Sequence, residues 1–300
     1  MRKIVTYVAL ATVMSFVGCG ESSDSAGDGK PVVFASIQPV AFLVDRIAGD
    51  AVTVRTLVKP GQDPHTYEPS PRDMVELSRA RLFLRAGTPF EEVIVPRLAH
   101  TGTKLRIVDV TEGIKRHPAD ERQDEHATGA AEDDHDVDPH VWTSPVLMKR
   151  MAARTAEALC ELVPESKAEF AQNLATLTAD LDKLHDRLTR AFAPMKGRTF
   201  FVFHAAFGYL AEEYGLNQES VEAGGKSPSA KHIRVLVEKA RAQNVKVIFV
   251  QPQFSTQAAA SIARQIDGAV VPLDPLSRDY LANMERIADE IAKALKTSNR

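Results

Sequence analysis

The sequence predicts an α/β fold of two lobes, each a mostly parallel sheet flanked by helices, joined by one long helix. Three observations carry that reading. Eight short β-rich runs fall into two groups of four, at 31–37, 52–58, 81–86 and 105–110, then at 198–203, 217–221, 245–250 and 269–273. Several are unbroken apolar runs, such as Val247-Ile248-Phe249-Val250, which suits strands covered on both faces. Helical patterns alternate with the runs, and such alternation implies parallel sheets. Between the two groups lies the longest helical stretch of the chain.

The order begins outside the fold. Met1-Arg2-Lys3 is basic, and the stretch from Ile4 to Phe16 is uncharged and largely apolar. It is too short to span a bilayer comfortably and reads as an export signal over 1–18. Its ending, Phe16-Val17-Gly18-Cys19, resembles the lipobox of bacterial lipoproteins, with Phe16 in place of the usual Leu. That resemblance makes Cys19 the lipid-bearing first residue of the mature chain, held to a bacterial membrane through its acyl groups. Residues 19–30 are rich in Ser, Gly and Asp and form a flexible tether. Cys160 is the one other cysteine, so no intrachain disulfide follows, and its amphipathic surroundings make it a small buried apolar residue.

The N-terminal lobe is expected over 31–163. Val40, Leu43, Val44 and Ile47 recur at helical spacing. Ser70-Pro71 and Ser227-Pro228 each pair a capping residue with a proline at the first helical position. The linking helix is expected over 164–193, with Ser166 and Glu169 as a capping box. Phe170, Leu174, Leu177, Leu181, Leu184 and Leu188 then form one apolar stripe. A helix of about 27 residues would be roughly 40 Å long. With only about three heptads, the stripe is expected to pack inside a monomer rather than form a coiled coil. The C-terminal lobe follows over 194–300, and each lobe is expected to carry its own core. Residues 120–138 carry nine carboxylates, one arginine, His126 and His135, without apolar periodicity. They read as a mobile acidic loop at about 117–138, either a solvated linker or a weak metal-collecting segment.

Composition narrows the function. Hydrophobic residues make up 44% and charged residues 26%, as in an ordinary globular protein, and a net charge of -3 gives no reason to propose nucleic acid as partner. Four residues stand out by their peptides: His65 in Asp63-Pro64-His65, His140 in Asp138-Pro139-His140, His204 in Phe203-His204-Ala205, and Asp274 in Leu273-Asp274-Pro275. Three imidazoles and a carboxylate complete a tetrahedral site for a divalent cation of borderline softness, zinc above all. Three of the four follow β-rich runs, at the carboxyl ends where α/β sheets bind ligands. Two come from each half, which places the metal in the cleft between lobes. A site filled by protein ligands holds metal rather than using it. His100, His117, His185 and His232 read as structural histidines. With imidazoles titrating near their ordinary value of about 6.5, zinc affinity would fall between pH 7 and 5.

At these residues the chain resembles the zinc/manganese class of metal-binding lipoproteins that feed bacterial ABC importers. The matching pieces are 60–69, 138–142, 203–209, 224–229, 252–254 and 274–276, in the family's order. The resemblance implies two lobes joined by a long helix, with His65, His140, His204 and Asp274 on the ligand positions. It implies an exported receptor, periplasmic or on the cell surface, delivering Zn2+ to a permease subunit served by a separate ATPase. Members of manganese type tend to carry Glu where His204 stands, so zinc is favoured over manganese or iron. Gln251 stands where the family commonly has an acidic residue, and the acidic segment is shorter and poorer in histidine than in many zinc members. A zinc hydrolase is the competing class. It would need an open coordination position and a placed base, and no His-Glu-x-x-His motif occurs. Gly225-Lys226-Ser227 imitates the end of a phosphate-binding loop, but Ser220 stands where that motif needs glycine. The chain is not expected to be an enzyme.

Overall fold

Strands form at all eight β-rich runs. The computed structural model describes residues 29–99, 104–118, 137–222 and 228–297. The export signal, Cys19, most of the tether, most of the acidic segment with His126 and His135, and Ser227 lie outside the described residues. The first half runs β1 (Val32–Ala35), α1 (Gln38–Ala48), β2 (Thr53–Thr56), α2 (Pro71–Ser78), β3 (Leu82–Arg85), α3 (Pro89–Ala99), β4 (Arg106–Asp109) and α4 (Pro145–Leu162). After α5 (Lys167–Phe192) come β5 (Thr199–Val202), α6 (Gly208–Tyr214), β6 (Asn217–Ser220), α7 (Ala230–Ala242), β7 (Val247–Val250), α8 (Thr256–Gln265), β8 (Ala269–Pro272) and α9 (Tyr280–Thr297). Both sheets are parallel, with the same order: β2-β1-β3-β4 and β6-β5-β7-β8.

The second sheet is covered on both faces, as its apolar runs require. Side chains alternate along a strand, so Phe200 and Val202 face one way while Phe201 and Phe203 face the other. Phe201 and Phe203 join Ile248, Val250, Leu236 and Ile262 in an outer cluster beneath α7 and α8. Phe200, Val202 and Phe249 belong instead to a cluster that includes the first lobe, α4, α5 and α9. The expectation of a separate core for each lobe is therefore corrected. The inner face of the second sheet shares one continuous core with the first lobe, because α5 and α9 supply apolar side chains to both.

The linking helix α5 has 26 residues and buries Phe170, Leu177, Leu181, Leu184, Leu188 and Phe192 along one stripe. It packs against α4, α1 and α9, within one chain. Its start differs from the expected capping box. Ser166 ends a 3-10 turn, Pro164–Ser166, and its side chain makes no cap hydrogen bond. The tight turn already positions the chain, leaving the hydroxyl no orphan amide to meet. A capping box forms instead at Ser70 and Asp73, with Pro71 next to the cap. The cap of α7 is Ser229 rather than Ser227, its side chain accepting from His232 N–H. Cys160 is half-buried and free on α4. Among the described residues no helix is long and apolar enough to cross a membrane.

Candidate metal centre

Three Asp-Pro-X tripeptides build one local turn three times. In each, Oδ1 of the aspartate accepts the N–H two residues ahead at 2.9 Å: Asp63 from His65, Asp138 from His140 and Asp274 from Leu276. Proline offers no N–H and fixes its φ, so the next amide turns toward the carboxylate. Gly61, at a φ of 82°, makes the left-handed step that brings the chain round toward the first of these turns. His140 then leads into a 3-10 turn, Val141–Thr143, ahead of α4. His204 lies just beyond β5, where Gln251 grips its backbone. The Gln251 side chain accepts from His204 N–H at 3.2 Å and donates to His204 O at 2.7 Å. A carboxylate could accept the first bond but could not donate the second.

These turns bring three imidazoles together. His65 Nε2 is 3.3 Å from His140 Nε2, and His204 Nε2 is 3.2 Å from His140 Nε2. Their ligand-type nitrogens lie within 4.8 Å of one another, the group of this kind formed among the described residues. A tetrahedral zinc with bonds of about 2.0–2.1 Å sets its ligand nitrogens about 3.3 Å apart. The two Nε2 separations match that edge.

The far side of two rings decides which nitrogen faces the centre. His140 Nδ1 lies 2.7 Å from Asp138 Oδ1, and His204 Nδ1 pairs with Glu222 Oε1. Each carboxylate takes the Nδ1 proton, which leaves the Nε2 lone pair pointing inward. Two lone pairs facing each other at 3.2 Å repel unless a cation lies between them. Both carboxylates are largely buried, with side chains 13% exposed for Asp138 and 6% for Glu222. Their two negative charges offset those of a dication held by neutral imidazoles.

Electrostatics disfavour the charged form of two of the rings, His65 and His140. Burial first, and then the His140 and His204 rings, lower the pKa of His65 from the ordinary imidazole value to about 2. Burial also lowers His140 and outweighs the opposing pull of Asp138. For Asp138 burial acts upward, but its electrostatic and hydrogen-bond interactions with His140 win and hold its carboxyl below its usual range. Proton competition at His65 and His140 is thus displaced below the ordinary imidazole range, unlike that of the unperturbed imidazoles expected from sequence.

Asp274 is placed differently. It is half-buried beyond β8 and stands outside the three-histidine group. Its Oδ1 accepts from Leu276 N–H and, at 3.2 Å, from Gln253 Nε2, leaving Oδ2 as the oxygen to offer a metal. The pocket around the imidazoles is lined by Trp142, Gln251, Gln253, Phe254, Pro275 and Leu276, and its volume is about 10 Å³. That is about one water-sized sphere, enough for an ion. Phe254 stacks on His204 with ring centroids 4.9 Å apart. Of the other histidines, His117 pairs with Glu212 at 2.7 Å and His185 lies 3.2 Å from Tyr214 Oη, both outside the centre. Sequence reading missed the orienting role of Asp138, although it sits in the tripeptide that flagged His140. It missed Glu222 altogether.

Residues 33–294 match the family described as zinc-uptake complex component A, periplasmic (ZnuA). The zinc-binding lipoprotein AdcA of Streptococcus pneumoniae is 28% identical over 299 residues, covering 98% of this chain and 58% of the relative. The chain thus spans somewhat over half the length of that curated relative. A crystal structure of ZnuA superposes with a TM-score of 0.81 at 33% identity, covering 89% of this chain and 99% of that one. A ZnuA deletion mutant with zinc bound gives a TM-score of 0.80 at 34% identity, covering 88% and 98%. With a matching family profile over most of its length and a matching fold, this chain belongs to the ZnuA family.

Proposed function

We propose that the chain is an exported zinc receptor that captures one Zn2+ on His65, His140 and His204 and delivers it to an ABC-type importer. One observation carries the reading. Nε2 atoms with their lone pairs turned inward stand a tetrahedral edge apart, and two buried carboxylates hold the tautomers. Asp274 completes the coordination through Oδ2 after a small shift of its turn. Three nitrogen donors favour zinc over manganese, and a cavity of about 10 Å³ suits an ion rather than an organic substrate, which favours binding over hydrolysis. The relatives named for zinc uptake and zinc binding support the same reading. In this proposal 1–18 is removed on export and Cys19 carries the lipid. Residues 19–30 tether the lobes 31–163 and 194–300, joined by 164–193, to the membrane. The receptor works as a monomer beside a permease with its own ATPase, and His126 and His135 add at most weak metal collection.

The test is a competition titration of apo-protein with zinc, manganese and iron. One tight zinc per chain is expected. His65→Ala, His140→Ala and His204→Ala should each weaken it by more than the roughly 10–100-fold that loss of an orienting partner costs. Asp274→Ala should weaken it less. Wild-type affinity in any histidine variant removes that residue from the coordination, and tighter manganese than zinc overturns the metal.

A further inference from the structure

Tyr209 joins the centre to the opposite lobe. It sits on α6, five residues after His204, and is 3% exposed. Its hydroxyl has one proton to give and lone pairs to receive, and uses both on the first lobe. It donates to Asp138 O at 2.9 Å and accepts from His117 N–H at 3.0 Å. Those two groups belong to one closure, where Asp138 N–H donates to His117 O at 2.9 Å beside the Pro118–Val137 bridge. The His117 ring lies over the Tyr209 ring, centroids 4.3 Å apart and nearly parallel, and its Nε2 meets Glu212 one turn along α6. Gly208 completes the seat. A Cβ there would stand 2.9 Å from Asp138 Oδ2, so only glycine lets that carboxylate rest against the start of α6.

Asp138 passes this placement on. Its Oδ1 receives both the backbone N–H and Nδ1 of His140. One of the two imidazoles that the first lobe contributes, that of His140, is therefore aimed by groups of the second.

We propose that Tyr209 is a positioning residue for His140, acting through Asp138, so that withdrawal of the lobe bearing His204 disorients His140 as well and metal leaves both ligands together. The inference rests on the reading of His65, His140 and His204 as the zinc site. An orienting contact one step removed from the metal is expected to matter at the lower end of what outer partners do.

The experiment follows zinc release from the full mature protein into excess chelator. Tyr209→Phe keeps the ring and its stacking and removes only the hydroxyl. It should speed release by roughly threefold to tenfold, with little change in the association rate or in the thermal midpoint of the apo-protein. Gly208→Ala, which crowds Asp138 from the same helix without touching Tyr209, should also speed release. In an Asp138→Ala background, Tyr209→Phe should change release by less than about twofold, because its route is already cut. Wild-type release from Tyr209→Phe overturns the proposal, as does a full additional effect of Tyr209→Phe in the Asp138→Ala background. His140→Ala is measured alongside. If it binds zinc as the wild type does, the site reading has failed; if it loses zinc while Tyr209→Phe is silent, only the positioning role has failed.

Discussion

His204 and Glu222 face each other across two parallel strands. The register that pairs Val202 with Ser220 continues past the ends of β5 and β6, where Glu222 N–H donates to Phe203 O at 3.0 Å. Two residues beyond that pair, the buried Glu222 carboxylate meets His204 Nδ1. A carboxylate on the far side of an imidazole fixes its tautomer and raises its basicity toward a metal. The strand pairing thus sets which nitrogen of His204 faces the centre.

Glu222→Gln removes the charge while keeping the shape, and its amide can meet Nδ1 either way round. Zinc affinity should fall by about 10–100-fold, with the apo-protein still folded. Isothermal competition against a chelator of known affinity measures it. Affinity within twofold of wild type would mean that Glu222 does not hold the tautomer.

His204→Glu exchanges a nitrogen donor for oxygen and should raise manganese relative to zinc. Alone, it would set a second carboxylate against Glu222, and like charges in a buried site oppose each other. The shift in the zinc-to-manganese affinity ratio should therefore be larger in His204→Glu combined with Glu222→Gln than in His204→Glu alone. Equal ratios in wild type and both variants would show that position 204 does not set the choice of metal.

The buried histidines also predict how the apo-protein answers acid. His65 and His140 have pKa values lowered in the folded state, the former to about 2. Below pH 6.5 the unfolded chain binds protons that these folded imidazoles refuse, so stability falls as pH falls. For His65, whose folded value is about 2, the loss is up to about 1.4 kcal/mol per pH unit below 6.5. Denaturant titrations of the apo-protein at pH 7.5, 6.5 and 5.5 should show the loss setting in below 6.5, and His65→Ala should lessen it. Zinc binding at His65 and His140 should hold to lower pH than ordinary imidazoles allow, because those two rings resist protonation in the fold. Stability that is flat from pH 7.5 to 5.5 would mean that these rings take up protons in the fold as readily as in solution.

What the amino-acid sequence determined by itself was local. Short β-branched and aromatic runs bounded by turn residues favour strands locally, and all eight β-rich runs became strands. The stripe from Phe170 to Leu188 needs only helical spacing to be recognised, and it forms one face of α5. Each Asp-Pro-X turn closes within three residues, so the backbone turn that presents His65 and His140 was legible in their own tripeptides. Tertiary structure decided what depends on distance through space. Glu222 reaches His204 only because β5 and β6 pair in one register, and Gln251 grips His204 only because β7 lies beside β5. Asp274 shares the local turn of the histidines yet stands apart from their nitrogens, since its position is set by β8 at the sheet edge. The shared core belongs to the same class, for α5 and α9 reach both sheets only once the chain has closed. Hydrophobic period and turn chemistry act between neighbours along the chain, whereas strand register and side-chain pairing are chosen by packing that no short stretch contains.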